Sequence, residues 1–259
     1  MTKPTGFTGG RERWLATAAA ALTIALTWEA VAQFYPDYLM PSLGPVLIRL
    51  GRQAASASFL ATVGVSLWRL AVGYLLACGI GLTMGLLAAP VRGLRLYLRA
   101  LVGIIQSVPP VAWIPLLVII LGFGEVPLLV VISVASFSPM ELSVINATEM
   151  VDQNRLWVAR QLGASKIQQV TKVYAPEVFP ALINGAQIAF GNAWRSLIAA
   201  EMIGGANNGL GWSITLAGEI ADMPGVVLGI VVIGTLATLI ERLLLDRVKG
   251  RLLRWRESQ

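Results

Sequence analysis

Six apolar runs, each near the ~20 residues a helix needs to cross the hydrocarbon core, occupy most of this sequence. Lipid offers no water to backbone N–H and C=O groups, so each run must satisfy its own, as an α-helix does. The expected fold class is therefore an all-α integral membrane protein with six transmembrane helices. Charge content agrees. Charged residues make up 13% of the chain, against ~25% for a soluble domain, and the mean hydropathy is +0.71.

The expected spans run from about Trp14 to Phe34, Thr62 to Ala89, Leu98 to Leu121, Val126 to Ile145, Glu177 to Ile203 and Pro224 to Leu245. The first is too long for a signal peptide and has no small-residue cleavage site before Tyr35, so it is expected to remain as a span. Between spans 1 and 2 lies an amphipathic piece with Arg49 and Arg52, and a Gly-rich loop is expected to connect span 5 to Asp222. The division predicted is a tail at 1–13, a transmembrane domain at 14–247 and a basic tail at 248–259.

The formal charge of +6 does not point to nucleic acid, because the cations flank the spans rather than forming one block. Arg92, Arg95 and Arg99 follow span 2; Arg155, Arg160, Lys166 and Lys172 follow span 4; Arg247, Lys249, Arg251, Arg254 and Arg256 close the chain. The alternate connections hold only Arg49 and Arg52. That asymmetry places both termini, and the segment after span 4, in the cytoplasm. The one cysteine, Cys78, excludes a disulfide framework, and the absence of histidine removes the commonest metal ligand and general base. No phosphate-cradling G-x-x-x-x-G-K-[ST] loop and no Gly-x-Ser-x-Gly occur, so the chain is not expected to be an enzyme or to hydrolyse ATP itself. An intramembrane enzyme is the remaining reading of a different class.

The longest polar interruption is Asp152 to Pro176. It predicts two short helices and a bend. Asp152 caps the first, whose apolar positions Leu156, Ala159 and Leu162 recur at helical spacing. Gly163 ends it, Ser165 and Gln168 form a capping box for the second, and Pro176 stops the second.

Ala159, Gly163 four residues on, then Val173-Tyr174-Ala175-Pro176 resembles the EAA loop of bacterial ABC-importer permeases. There Glu-Ala-Ala, three residues, Gly, nine residues and Ile-x-Leu-Pro form a coupling helix pair held in a cleft of a cytoplasmic ATPase. This chain departs at Trp157 and Val158, where Glu and Ala are usual, and at Ala175, where Leu is usual. The resemblance implies ATPase coupling through Trp157, Val158, Ala159, Gly163, Ala164, Ser165, Val173 and Pro176.

It extends along the chain. Ser66-Leu67-Trp68-Arg69-Leu70 with Gly73-Tyr74, Gly81 and Gly85 is similar to span 2 of the nitrate/sulfonate/taurine group. Gln106 to Leu116, including Pro109, Pro110 and Pro115, is similar to its span 3, and Ala199-Ala200-Glu201-Met202-Ile203 with Gly209-Leu210-Gly211 to its segment after span 5. This resemblance implies a type I importer permease in the bacterial inner membrane, with ATP and Mg on two copies of a separate ATPase and an external solute-binding protein, periplasmic or lipid-anchored. A single chain has one coupling loop, so a second permease copy is expected, most simply a homodimer. The implied cargo is a small anion such as nitrate, taurine or another sulfonate. The alternatives are another small solute, such as bicarbonate or a pyrimidine precursor, and an ATPase-independent secondary transporter.

Charges inside spans are costly and tend to face protein or a watery path. Arg69, Arg195 and Glu201 are therefore candidates for the translocation path, together with Gln106, Ser107, Pro109 and Pro110, where proline interrupts span 3. The competing reading has the arginines snorkelling, or pairing with Glu201 or Glu29. Arg242, near the inner end of span 6, is expected to snorkel. Ala181, Gly185, Ala189 and Ala193 form a small-residue stripe for a core or dimer contact.

Overall fold

The computed structural model describes residues 10–242. The expectations for residues 1–9 and for the basic tail at 248–259 lie outside the described residues. The chain folds as α1 (Gly10–Ala32), α2 (Leu43–Gln53), α3 (Ala57–Ala88), α4 (Arg92–Gln106), α5 (Ile114–Leu121), α6 (Glu125–Glu149), α7 (Gln153–Gln161), α8 (Lys166–Gln169), α9 (Ala175–Ala200), α10 (Leu210–Glu219) and α11 (Met223–Ile240). A 3-10 turn, Pro110–Trp113, leads into α5, and π-helical turns at Val170–Tyr174 and Glu201–Gly205 flank α9. The described residues contain no strand.

Four of these helices (α1, α3, α6 and α11) are long and apolar enough to cross a membrane alone. A fifth crossing is available if α4 and Pro110–Leu121, which bend by 77° at the prolines, act as one broken span. α9 has the length, at 26 residues, but Asn184, Gln187, Asn192 and Arg195 dilute its apolar character. Of the six expected spans, up to five are thus met by length and composition among the described residues, and α9 meets the requirement by length alone. The polarity of α9 fits its place, packed along α6 rather than facing lipid on all sides.

α6 is the most enclosed of the spans, with α3 and α9 along it. Lipid tails are as apolar as leucine, so these helices associate through close packing rather than water exclusion. Small residues make that approach possible. A Cβ on Gly85 of α3 would lie 2.6 Å from Val144 Cγ1 of α6, and one on Gly185 of α9 would lie 2.6 Å from Ser143 Cβ. Ser143 Oγ also donates to the Ala181 carbonyl at 2.9 Å. Gly185, Ala189 and Ala193 are buried within this single chain, so the small-residue stripe serves its own core.

α1 is held mainly at its end. Trp28 Nε1 donates to the Pro41 carbonyl at 3.1 Å, and Glu29 Oε2 accepts from the Leu43 N–H at 3.0 Å. Glu29 therefore complements the positive end of α2 rather than pairing with an intramembrane arginine. Arg242, expected to reach for headgroups, donates instead to Thr17 Oγ1. α2 is fixed in turn by Arg49, whose two terminal nitrogens each donate at 2.6 Å to Asp222, the N-cap of α11. This fork, helped by the Gly225 N–H, holds the Asp222 carboxyl below its ordinary range.

Two sequence expectations fail here for local reasons. The Gly-rich stretch before Asp222 contains α10, because Leu210, Ile214 and Ala217 present one buried face at helical spacing. Pro176 does not stop a helix. It falls in the first turn of α9, directly after a π-helical turn. The π-turn before it shifts the hydrogen bonding, with the Ala175 N–H reaching Val170 O, so α8 runs on into α9.

Candidate functional site

The polar stretch after α6 folds into a capped pair of short helices. Asp152 Oδ1 accepts from the Asn154 N–H at 2.9 Å and starts α7. At its end Gly163 takes φ +77°, a conformation that carries a steric penalty for residues with a Cβ. There the Gly163 N–H donates to Arg160 O at 2.9 Å and the Ala164 N–H to Ala159 O at 3.0 Å, a complete Schellman closure. The reciprocal capping box is present: Gln168 N–H to Ser165 Oγ at 3.2 Å, and Ser165 N–H to Gln168 Oε1 at 2.8 Å. Leu156 anchors the pair against Ala89, Val151 and Tyr174, with Val173 beside them.

The remaining apolar side chains point the other way. Trp157 is 63% exposed, Leu162 82% and Ile167 76%, with Val158 also exposed. Leu162 shares the helical spacing of Leu156 but not its burial. The Schellman turn unwinds the helix at that residue and turns it outward. Ala159 and Ala164 are half-buried, while Ser165 and Pro176 lie at the surface. An apolar group on an otherwise polar surface, held by both caps, is the kind of patch that marks an interface.

A second constellation lies among the spans. Arg69 of α3 is 2% exposed and uses its whole guanidinium. Its Nε and Nη2 donate to Glu125 at 2.7 and 2.6 Å, its Nη1 to Glu201 Oε1 and to Asn208 O at 2.7 Å each, and its Nη2 also to Asn208 Oδ1 at 2.8 Å. Glu201, with no exposed surface, accepts further from Ser66 Oγ at 2.9 Å and from the Gly211 N–H at 2.9 Å, and the Leu210 N–H donates to Ser66 Oγ at 2.9 Å. Glycine is required beside that carboxylate, since a Cβ on Gly209 would stand 2.4 Å from Glu201 Oε1. Such a pair is tolerable away from water only when its remaining donors and acceptors are met, as they are here.

Sequence reasoning held Glu201 only as one alternative partner for Arg69, beside Glu29, and missed Glu125, Ser66 and Asn208. Ser66 carried a usable signal: it lies three residues before Arg69, hence on the same helical face. Glu125 at the start of α6 and Asn208 before α10, 56 and 139 residues away, carried none.

Arg195 is differently placed. It is exposed and donates to Asn192 Oδ1 at 2.7 Å. With Gln106, Pro110, Ser138 and Ser196 it lines a cleft of about 360 Å³ between α9, α6 and the broken span. Ser107 Oγ donates back to Gly103 O at 2.9 Å, and Pro109 caps the 3-10 turn that makes the break. The structure thus brings Arg69 to Glu201, and Arg195 to Gln106 and Pro110.

Residues 81–256 match the profile described as binding-protein-dependent transport system inner membrane component. The chain belongs to that family. It is 33% identical to the taurine transport system permease protein TauC of Escherichia coli, over 93% of this chain and 88% of that protein. It is 28% identical to the putative aliphatic sulfonates transport permease protein SsuC of Bacillus subtilis, over 96% and 91%. Similarity extends to the bicarbonate transport system permease protein CmpB of Synechococcus elongatus, 30% identical over 73% and 66%. This family member is accordingly an ABC-importer permease subunit and a multi-pass membrane protein, and membership implies ATPase and solute-binding partners.

Proposed function

We propose that this chain is the translocating subunit of an ATP-driven importer for a small oxyanion or organosulfonate, in the bacterial inner membrane. Two copies pair with two ATPase subunits carrying ATP and Mg, and an external binding protein delivers the solute. Six crossings, with α4 and Pro110–Leu121 as one broken span and α9 as another, leave both termini and the α7–α8 pair in the cytoplasm. The cation asymmetry supports this topology.

The observation that carries the reading is the exposed set Trp157, Leu162 and Ile167 on a doubly capped helix pair. ATP closing an ATPase dimer would pull two such pairs together. Because α8 continues through Val170–Tyr174 into α9, the displacement would reach a helix packed along the central α6. That is a lever for alternating access. The solutes named for the relatives (taurine, aliphatic sulfonates, bicarbonate) support an anionic cargo, and Arg195 with Asn192 and Gln106 supplies donors for one.

The test is co-purification with the neighbouring ATPase, followed by mass identification of the solute on the neighbouring binding protein. Recovery of the ATPase with an anionic ligand on the binding protein is expected. Uptake by this chain without any ATPase would overturn the reading in favour of a secondary transporter.

A further inference from the structure

A cleft of about 350 Å³ separates the corner between α3 and α4 from the coupling helix α7, and its wall includes Arg92, Arg95, Arg160, Gln153, Tyr174 and Glu149. Three guanidiniums and one carboxylate converge on it. The carboxylate is already engaged, with Arg99 Nη2 2.9 Å from Glu149 Oε2. Among the described residues none of Arg92, Arg95 and Arg160 has an ion-pair partner. Arg95 Nη1 donates to the Ala89 carbonyl, which fixes the side chain, while its Nε is buried with no acceptor.

The backbone adds to the same field. α4 begins at Arg92, its N-cap Val91 offers no side-chain acceptor, and its first turn contains no acid. The positive end of a 15-residue helix thus lies beside three unneutralised cations. Membrane topology requires cations on this side of the bilayer, but it does not require three of them around one concavity. Planar, fork-shaped donors match the oxygens of a phosphate group.

We propose that this cleft binds a phosphate-bearing anion, bridging Arg92 and Arg95 at the span corner to Arg160 on the coupling helix. The source is either the headgroup of an anionic phospholipid or a soluble phosphate. Occupancy clamps α7 to the corner of α3 and α4. That consequence rests on the ATPase-docking reading above, whereas binding itself is measured on the permease alone.

The experiment places the purified full chain in phosphatidylcholine nanodiscs, with and without phosphatidylglycerol, and titrates inorganic phosphate against chloride at matched ionic strength. The readouts are native mass spectrometry and melting temperature. Retained phosphatidylglycerol identifies the lipid source, and a phosphate-specific rise in melting temperature identifies the soluble one. Either supports the site. Arg92→Gln with Arg160→Gln should weaken the interaction by about tenfold or more, and the Lys pair should retain part of it. These side chains are exposed, so both double variants should melt like the parent without ligand. Equal effects of phosphate and chloride with no retained lipid would overturn the proposal, as would unchanged binding by the Gln pair. If the ATPase fails to co-purify while the anion still binds, only the docking reading is lost.

Discussion

Arg69 Nη1 of α3 stands 2.7 Å from Glu201 Oε1 at the end of α9, and neither side chain meets solvent to any extent. The pair joins elements 132 residues apart at a point where the chain turns toward α10. Glu125 at the start of α6 completes the cluster, so three of the helices around the core converge on one guanidinium. Removing one partner of such a pair costs about 3–5 kcal/mol, because the other charge is left without compensation. Arg69→Gln and Glu201→Gln should each lower the detergent melting temperature clearly, and the double variant should recover part of the loss. Arg69→Lys should not be neutral, since an ammonium cannot reproduce the five contacts. A Lys variant that melts like the parent would contradict the network.

Gly85 tests the packing of α3 on α6. Gly85→Ala places a methyl inside the contact distance of Val144 and should destabilise by about 1–3 kcal/mol. Val144→Ala in the same chain should restore part of it by opening the space. Thermal unfolding of the two single variants and the double checks this, and additive losses would contradict it.

The Arg49–Asp222 fork predicts a pH window. Asp222 is held below its ordinary value, first by the Arg49 hydrogen bonds, against the opposing effect of burial. A depressed carboxyl contributes stability that is complete above its unfolded value of about 3.9 and is lost as pH falls through the lower folded value. Both side chains are partly exposed, so the contribution is about 1 kcal/mol or less. The difference in melting temperature between the parent and Asp222→Asn should stay flat from neutral pH to about 5, then shrink below about 4. A difference that disappears between pH 7 and 6 would contradict the assignment.

Arg195 is exposed at a cleft, so its loss should spare the fold. Arg195→Gln should reduce anion uptake with little change in melting temperature, and Arg195→Lys should keep more of it if charge is what matters. Undiminished uptake by the Gln variant would remove Arg195 from the path.

Much of this was legible in the sequence wherever the causes are local. The Asp152 cap, the Gly163 turn and the Ser165–Gln168 box each depend on residues a few positions apart, and each took the expected form. The bend in span 3 follows from Pro109 and Pro110 in the same way. Elsewhere the outcome depended on surroundings. Pro176 reads as a stop only if α8 ends on its own, and the π-turn at Val170–Tyr174 removes that condition. α10 was hidden by the glycines around it, although Leu210, Ile214 and Ala217 carry its period. The partners of Arg69 come from the ends of other helices, whose place beside α3 is set by helix packing, which no local pattern encodes.

In the proposed importer, the outward face of the α7–α8 pair is the ATPase contact. Leu162→Asp tests it most directly, because Leu162 is 82% exposed and takes no part in the Schellman hydrogen bonds through its side chain. The measurement is the amount of ATPase recovered with the tagged permease from solubilised membranes. The variant should reach the membrane and melt like the parent but recover little ATPase and support little uptake, since a buried carboxylate without a partner opposes docking. Parent-level ATPase recovery and uptake by Leu162→Asp would contradict the claim.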